Sequence, residues 1–204
     1  MHIAATICAA AGIRGDIEIR PRIFLSDEER IAGKVVSRSQ IVIQTSSLGA
    51  GWPILNKQWP IERFSAVTNA LKGDFDLVQL GVPSDPKLFG ALDLRGKTTV
   101  RQAAAILSAS HVFVGLEGGL MHMARAVDCR SVIIYGGRLL PSQTGYSANA
   151  NLSWVGPCAP CWQRDACDFD RICLQEISSE SVVTAAHRQA ELYGKPLPVD
   201  RLTI

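Results

Sequence analysis

The chain has 204 residues, 47% of them hydrophobic and 20% charged, with a formal net charge of +2. That composition supports one good core and excludes a disordered chain, and no apolar run approaches the roughly 20 residues of a membrane span. So small a charge, with Lys and Arg scattered among acids, leaves no electrostatic footprint for nucleic acid.

Residues 1–13 (MHIAATICAAAGI) are small and apolar, and the first basic residue, Arg14, comes only after them. This reads as a buried helix rather than a signal peptide, which needs a basic flank ahead of its apolar stretch. The expected compartment is therefore the cytoplasm, with peripheral attachment at the inner membrane left open. Six cysteines would then be thiols or metal ligands rather than bridges. A turn around Gly12 and Gly15, an extended stretch 17–24 and a charged helix near 26–32 complete residues 1–36, too little for a separate domain.

Four nearly continuous apolar, β-branched runs follow: 41–45 (IVIQT), 77–81 (LVQLG), 111–115 (HVFVG) and 131–136 (SVIIYG). Such runs suit strands buried on both faces. Helical periods lie between them, at Phe64, Val67 and Leu71, at Val100, Ala103 and Leu107, and at Leu120, Met121, Ala124 and Val127. The alternation predicts an α/β fold, a Rossmann-like open parallel sheet with right-handed crossovers. After Gly137 the regular pattern gives way to a stretch rich in Gly, Pro, Ser and Asn, reaching about Pro160. A Cys-rich irregular segment spans 156–177. A last helix starts at Ser178 or Ser179, carries Val182, Val183, Ala186 and Ala190, and stops near Gly194.

Ligands of such sheets bind beyond the carboxyl ends of the strands. After the third run stand Glu117, Gly118, Gly119 and His122, where a helix's free first-turn amides would favour an anion and the imidazole could donate to a phosphate oxygen. The alternative is a glycine turn that merely lets helix and sheet pack closely. Glu117 has the wrong sign for a phosphate and suits ligand hydroxyls or backbone amides. After the first run, Ser46, Ser47, Gly49 and Gly51 form a hydroxyl-rich loop, and Lys57 stands just ahead of Trp59-Pro60. An ordinary solvated lysine is the plain reading; convergence of the two loops on one anion is the functional one.

These residues carry a resemblance. K-x-W-P-x-E-R-F at 57–64, L-x-G-K-T-T-x-R-Q-A-A-A-I-L at 94–107 and V-G-x-E-G-G-x-M-H-x-A at 114–124 resemble, in order, the carboxyl-terminal half of glycosyltransferase family 9, the heptosyltransferases of lipopolysaccharide synthesis and their relatives. The tail at 158–177 is similar as well. The resemblance implies a GT-B architecture of two facing Rossmann-like domains. Residues 37–204 would be the domain that binds a nucleotide-diphosphate sugar, typically ADP-heptose, and 1–36 a remnant of the acceptor domain or a linker. It also implies that Lys57, Glu117, Gly118, Gly119 and His122 hold the donor diphosphate, with Ser46 and Ser47 matching a hydroxyl-bearing loop more loosely. Glu117 and Gly118 depart from the family's aspartate and hydroxyl residue. The segment 80–85 falls where the family contacts the nucleoside. No cofactor is expected for transfer. The acceptor, glycan or protein, is not specified, and the family's catalytic aspartate has no counterpart here. The alternative is a non-catalytic nucleotide-sugar-binding or assembly module, completed by self-association or a partner chain.

Cys158, Cys161, Cys167 and Cys173 make a four-thiol cluster suited to a structural zinc or iron, though only the first pair has the C-x-x-C spacing. Free thiols or a disulfide are the alternatives. Some family members that glycosylate autotransporter proteins carry cysteine-bound iron in a comparable tail. Cys8 and Cys129 are expected in the core. A dinucleotide-dependent oxidoreductase is disfavoured, since no G-x-G-x-x-G follows the first run.

Overall fold

The computed structural model describes residues 2–49, 51–154 and 156–204. In chain order the elements are α1 (Ile3–Ala10), β1 (Asp16–Glu18), α2 (Asp27–Ala32), β2 (Gln40–Ile43), a single 3₁₀ turn (Leu55–Lys57), α3 (Ile61–Leu71), β3 (Asp76–Gln79), β4 (Leu92–Asp93), α4 (Val100–Ser108), β5 (Val112–Leu116), α5 (Gly119–Ala126), β6 (Ser131–Tyr135), α6 (Pro141–Thr144), β7 (Asn149–Ser153), α7 (Ile172–Gln175), α8 (Ser179–Glu191) and β8 (Arg201–Thr203).

The four apolar runs are strands, as their patterning requires. Successive side chains of a strand point to opposite faces, and the core divides accordingly. Ile41, Ile43, Leu77, Val112, Val114, Val132 and Ile134 pack on one face against α3 and α8. Val42, Val78, Phe113, Ile133 and Tyr135 pack on the other against α4 and α5. Both faces are covered, so the runs are apolar throughout rather than alternating. Local signals fix the helix starts: Ser26 with Glu29 and Thr99 with Gln102 form capping boxes, and Ser178 caps α8.

The six-stranded sheet runs β4-β3-β2-β5-β6-β7, and its pairs are parallel. Counted within this sheet, the order is the doubly wound 3-2-1-4-5-6, and the winding reverses between β2 and β5. The loops leaving β2 and β5 therefore open side by side at the sheet's carboxyl edge. These are the loops that carry Lys57 and the Glu117-Gly-Gly turn.

Four expectations change. β7 lies inside the stretch read as irregular: it is an edge strand with one half-exposed face, and its sequence, NANLS, shows none of the apolar signal of a buried strand. The extended segment 17–24 is a strand only over Asp16–Glu18, paired antiparallel with β8 from the far end of the chain. The amino-terminal helix forms, but only Ala5 of α1 is buried, while Ile3 and Ile7 are exposed. Cys129 is a core residue and Cys8 is half-buried. Residues 1–36 lie against the sheet domain: Ile19 sits in the second core cluster with Ile23 and Leu25 packed beside it. Among the described residues no helix is long and apolar enough to cross a membrane.

Candidate functional site

A cavity of about 410 Å³ lies at the switch point, lined by Ser46, Ser47, Gly49, Trp52 and Lys57 from the β2 loop, Gly81, Val82 and Asp85 from the β3 loop, and Glu117, Gly118 and Gly119 at the start of α5. Its size suits a small organic ligand. Among the described residues its lining runs from Gln44 to Met123, so residues 1–36 do not cover it.

Lys57 ends the 3₁₀ turn, and its Nζ donates to Oε2 of Glu117. The side chains are only 15% and 9% exposed, so this pair is largely withdrawn from solvent. The pairing joins residues 60 apart in sequence and accounts for a long acid at position 117: glutamate reaches across to the amine. An ammonium has three donors, so Lys57 can hold Glu117 and still serve a phosphate oxygen.

Gly118 caps α5 with φ 161° and ψ −163°, extended backbone open to any residue. A Cβ at Gly118 or Gly119 would meet nothing within 4 Å. Close helix–sheet packing therefore does not explain these two glycines. Gly115 differs: a Cβ there would lie 2.4 Å from Cζ of Phe113, two residues back on the same strand. What Gly118 and Gly119 leave bare is the cavity wall at a helix amino terminus, where unpaired amides and the helix dipole favour an anion.

Ser46 is buried, and its Oγ accepts from the amide of Leu48 at 3.0 Å. Ser47 Oγ accepts from Nε2 of Gln58 at 2.8 Å. The β2 and β3 loops touch closely, since a Cβ at Gly49 would fall 2.1 Å from Val82 Cγ2. Gln79, fully buried at the end of β3, staples the β3 loop: Nε2 donates to Pro86 O at 2.7 Å and Oε1 accepts from the amide of Leu88 at 2.8 Å.

That loop supplies a residue not singled out from the sequence. Asp85 is 4% exposed; Oδ2 accepts from the amide of Val82 at 3.1 Å, while Oδ1 is buried with no partner among the described residues. Burial pushes its carboxyl above the usual range, against the bond from Val82, the nearby Ser46 hydroxyl and the charge of Arg95. A buried acceptor left open beside a cavity is an unmet hydrogen bond, and it suits a ligand hydroxyl or amine. The signal available in sequence was an acid in the loop directly after a buried strand.

His122 departs from expectation. It is half-buried one turn into α5, outside the cavity lining, and its Nδ1 lies 2.6 Å from the hydroxyl of Tyr146. Burial lowers its pKa, leaving the ring neutral near pH 7, and burial pushes Tyr146 up to about 12, so the phenol keeps its proton. His122 backs the turn, whereas Lys57, Gly118 and Gly119 face the cavity.

Cys158, Cys161, Cys167 and Cys173 converge on a second cavity of about 420 Å³, shared with Asn56, Arg138, Asp168 and Arg171. All are free thiols rather than disulfides. Burial, then the neighbouring thiols, raise the pKa of Cys173. The donor set fits a thiophilic ion, and Arg138 and Arg171 would offset thiolate charge. Among the described residues no three ligand-bearing groups stand in metal-coordinating geometry.

The family model described as glycosyltransferase family 9 (heptosyltransferase) matches residues 18–169. No curated protein matches the sequence. Among solved structures, E. coli ADP-heptose LPS heptosyltransferase II superposes with TM-score 0.66 at 19% identity, covering 84% of this chain and 54% of that one. The iron-containing dodecameric glycosyltransferase TibC of enterotoxigenic E. coli gives 0.67 at 20%, covering 83% and 48%. TibC in complex with ADP-D-β-D-heptose gives 0.63 at 20%, covering 76% and 47%. At these identities the matches establish the fold. The chain spans about half the length of the structures it matches.

Proposed function

The chain belongs to glycosyltransferase family 9, and on that premise we propose that it binds a nucleotide-diphosphate sugar, ADP-heptose, for transfer with inversion to a glycan acceptor of lipopolysaccharide type. Residues 37–204 are the donor-binding unit in this reading, and 1–36 the end of a facing acceptor domain or a linker to it. The observation that carries it is the meeting of Lys57 with the bare amino terminus of α5 at the sheet's switch point.

The diphosphate lies between the Lys57 ammonium and the first-turn amides of α5, where Gly118 and Gly119 let it approach the backbone. Asp85 accepts a hydroxyl hydrogen from the ribose through its open Oδ1, and Ser46 and Ser47 border the same space. In the transfer, the bond from the anomeric carbon to the diphosphate oxygen breaks, and its electron pair leaves with the diphosphate. The acceptor oxygen bonds the same carbon from the opposite face and gives its proton to a base. Lys57 and the α5 amides stabilise the charge on the leaving group without a divalent ion. Neither acid at the cavity suits the role of base: Glu117 is held by Lys57, and Asp85 is buried beneath the nucleoside side. The base is assigned to the acceptor side of the cleft.

Cys158, Cys161, Cys167 and Cys173 are proposed to hold a structural zinc or iron; such an ion would tie the irregular segment together. Elemental analysis of untagged protein should find about one such ion per chain, and the absence of both zinc and iron would overturn this assignment. The donor reading is tested by a thermal-shift panel of nucleotide sugars. ADP-heptose and ADP should raise the melting temperature, UDP- and GDP-sugars less so. No shift with any adenine diphosphate would refute it.

A further inference from the structure

We infer that Asn56 is a positioning residue for Lys57, through which the cysteine-rich segment governs how tightly the cavity holds a diphosphate; this rests on the donor-site reading above. The turn bearing Lys57 is a single 3₁₀ turn, and Ile54, the residue that caps its start, makes no side-chain cap bond. So short a turn has little order of its own. It is gripped instead by the segment 164–171, more than a hundred residues downstream. Arg164 Nε donates to Pro53 O at 2.9 Å, and the amide of Leu55 donates to Asp165 Oδ1 at 3.2 Å.

Asn56 makes the other three bonds. Its amide donates to Arg164 O at 3.0 Å, its Nδ2 donates to Ala166 O at 2.7 Å, and its Oδ1 accepts from Arg171 Nε at 3.0 Å. The residue is 4% exposed. A buried amide with both ends engaged holds one orientation, and its loss strands two partners. Lys57 is the next residue along the chain.

The same segment faces the thiols. Asn56 and Arg171 themselves line the cavity of Cys158, Cys161, Cys167 and Cys173. Arg171 is bound at both ends: its amide donates to Cys167 Sγ at 3.2 Å, and its guanidinium donates to Asn56. Contacts thus run without a break from Cys167 through Arg171 and Asn56 to the residue that presents the donor-site cation. A disturbance of the cysteine-rich segment reaches Lys57 by this route, and Lys57 touches only the diphosphate part of the ligand.

Calorimetric titration with ADP, and ligand-detected NMR with adenosine, test the inference on the whole chain and on Asn56→Ala, Arg171→Ala and Lys57→Ala/Asn56→Ala. Asn56→Ala and Arg171→Ala should each weaken ADP fivefold or more and leave adenosine within twofold. The double variant should bind ADP no more weakly than Lys57→Ala alone. A merely structural role would weaken both ligands together and would weaken Lys57→Ala further; either result, or unchanged ADP affinity, overturns the inference. Should Asn56→Ala fail to fold, Asn56→Asp, which keeps the acceptor for Arg171 and loses the donor to Ala166, and Arg171→Ala carry the comparison. Wild-type protein that binds no ADP would remove the donor-site reading itself. Wild-type binding with unaffected variants would remove only the role of Asn56.

Discussion

Removing Lys57 has two consequences, and a double-mutant cycle with Glu117 separates them. The side chains are 15% and 9% exposed, so Lys57→Ala leaves a carboxylate largely out of water with no counter-charge. Breaking a fully buried pair costs about 3–5 kcal/mol. The residual exposure of this one brings the expected loss of stability to about 2–3 kcal/mol. Lys57→Ala/Glu117→Gln removes the stranded charge, and its loss should be about 1 kcal/mol. For ADP, losing a charge-assisted bond to phosphate costs about 1.5–3 kcal/mol. In the single variant Glu117 also repels the ligand, taking the total to about 3 kcal/mol, roughly a hundredfold in affinity. In the double variant the repulsion is gone and the loss should shrink to about 1.5 kcal/mol, roughly tenfold. Glu117→Gln alone should bind ADP a few-fold more tightly. Urea denaturation reads the first set and calorimetry the second. ADP affinity within twofold of wild type in Lys57→Ala, or a double variant as destabilised as the single, would refute the reasoning.

Asp85→Asn removes a carboxylate whose ionisation is opposed by burial, so it should raise stability at pH 7 while lowering ADP affinity by about 1 kcal/mol, the difference between a charged and a neutral acceptor; lower stability with intact binding would contradict the ligand role. Gly119→Ala meets no neighbour and sits in a helix, so it should stabilise the chain by up to about 1 kcal/mol yet weaken ADP at least fivefold. Unchanged ADP affinity in that variant would return the glycine turn to a packing role. His122 and His111 are both held below the usual histidine range, mainly by burial. A group whose native pKa is depressed contributes stability above its unfolded pKa and loses it as pH falls. Stability should therefore decline as pH drops below about 6.5, and His122→Gln should flatten that decline; a slope identical to wild type would count against it.

The parts of this fold written plainly in the sequence are those buried on both sides. β2, β3, β5 and β6 show as apolar runs because nothing on either face is wet. β7 does not, because as an edge strand it is half exposed and polar. β1 and β8 do not, because their pairing joins the two ends of the chain, which no local pattern records. The site divides in the same way. Lys57 and the Gly118-Gly119 turn were legible from their places at strand ends. The Lys57–Glu117 pair, the Tyr146 contact that draws His122 behind the turn, and the Arg171–Asn56 bond all depend on side chains meeting across long sequence distances. Asp85 was visible as an acid in a loop, but only burial with an unpaired oxygen marks it as a ligand contact.

The central claim is that one diphosphate is held between the amine of Lys57 and the amino terminus of α5. A crystal structure of the chain grown with ADP tests it most directly. The β-phosphate should lie within hydrogen-bond distance of Lys57 Nζ and of the amide of Gly119 or Leu120, with the ribose against Asp85. A nucleotide bound elsewhere, or one whose phosphates point away from α5 into solvent, would contradict it.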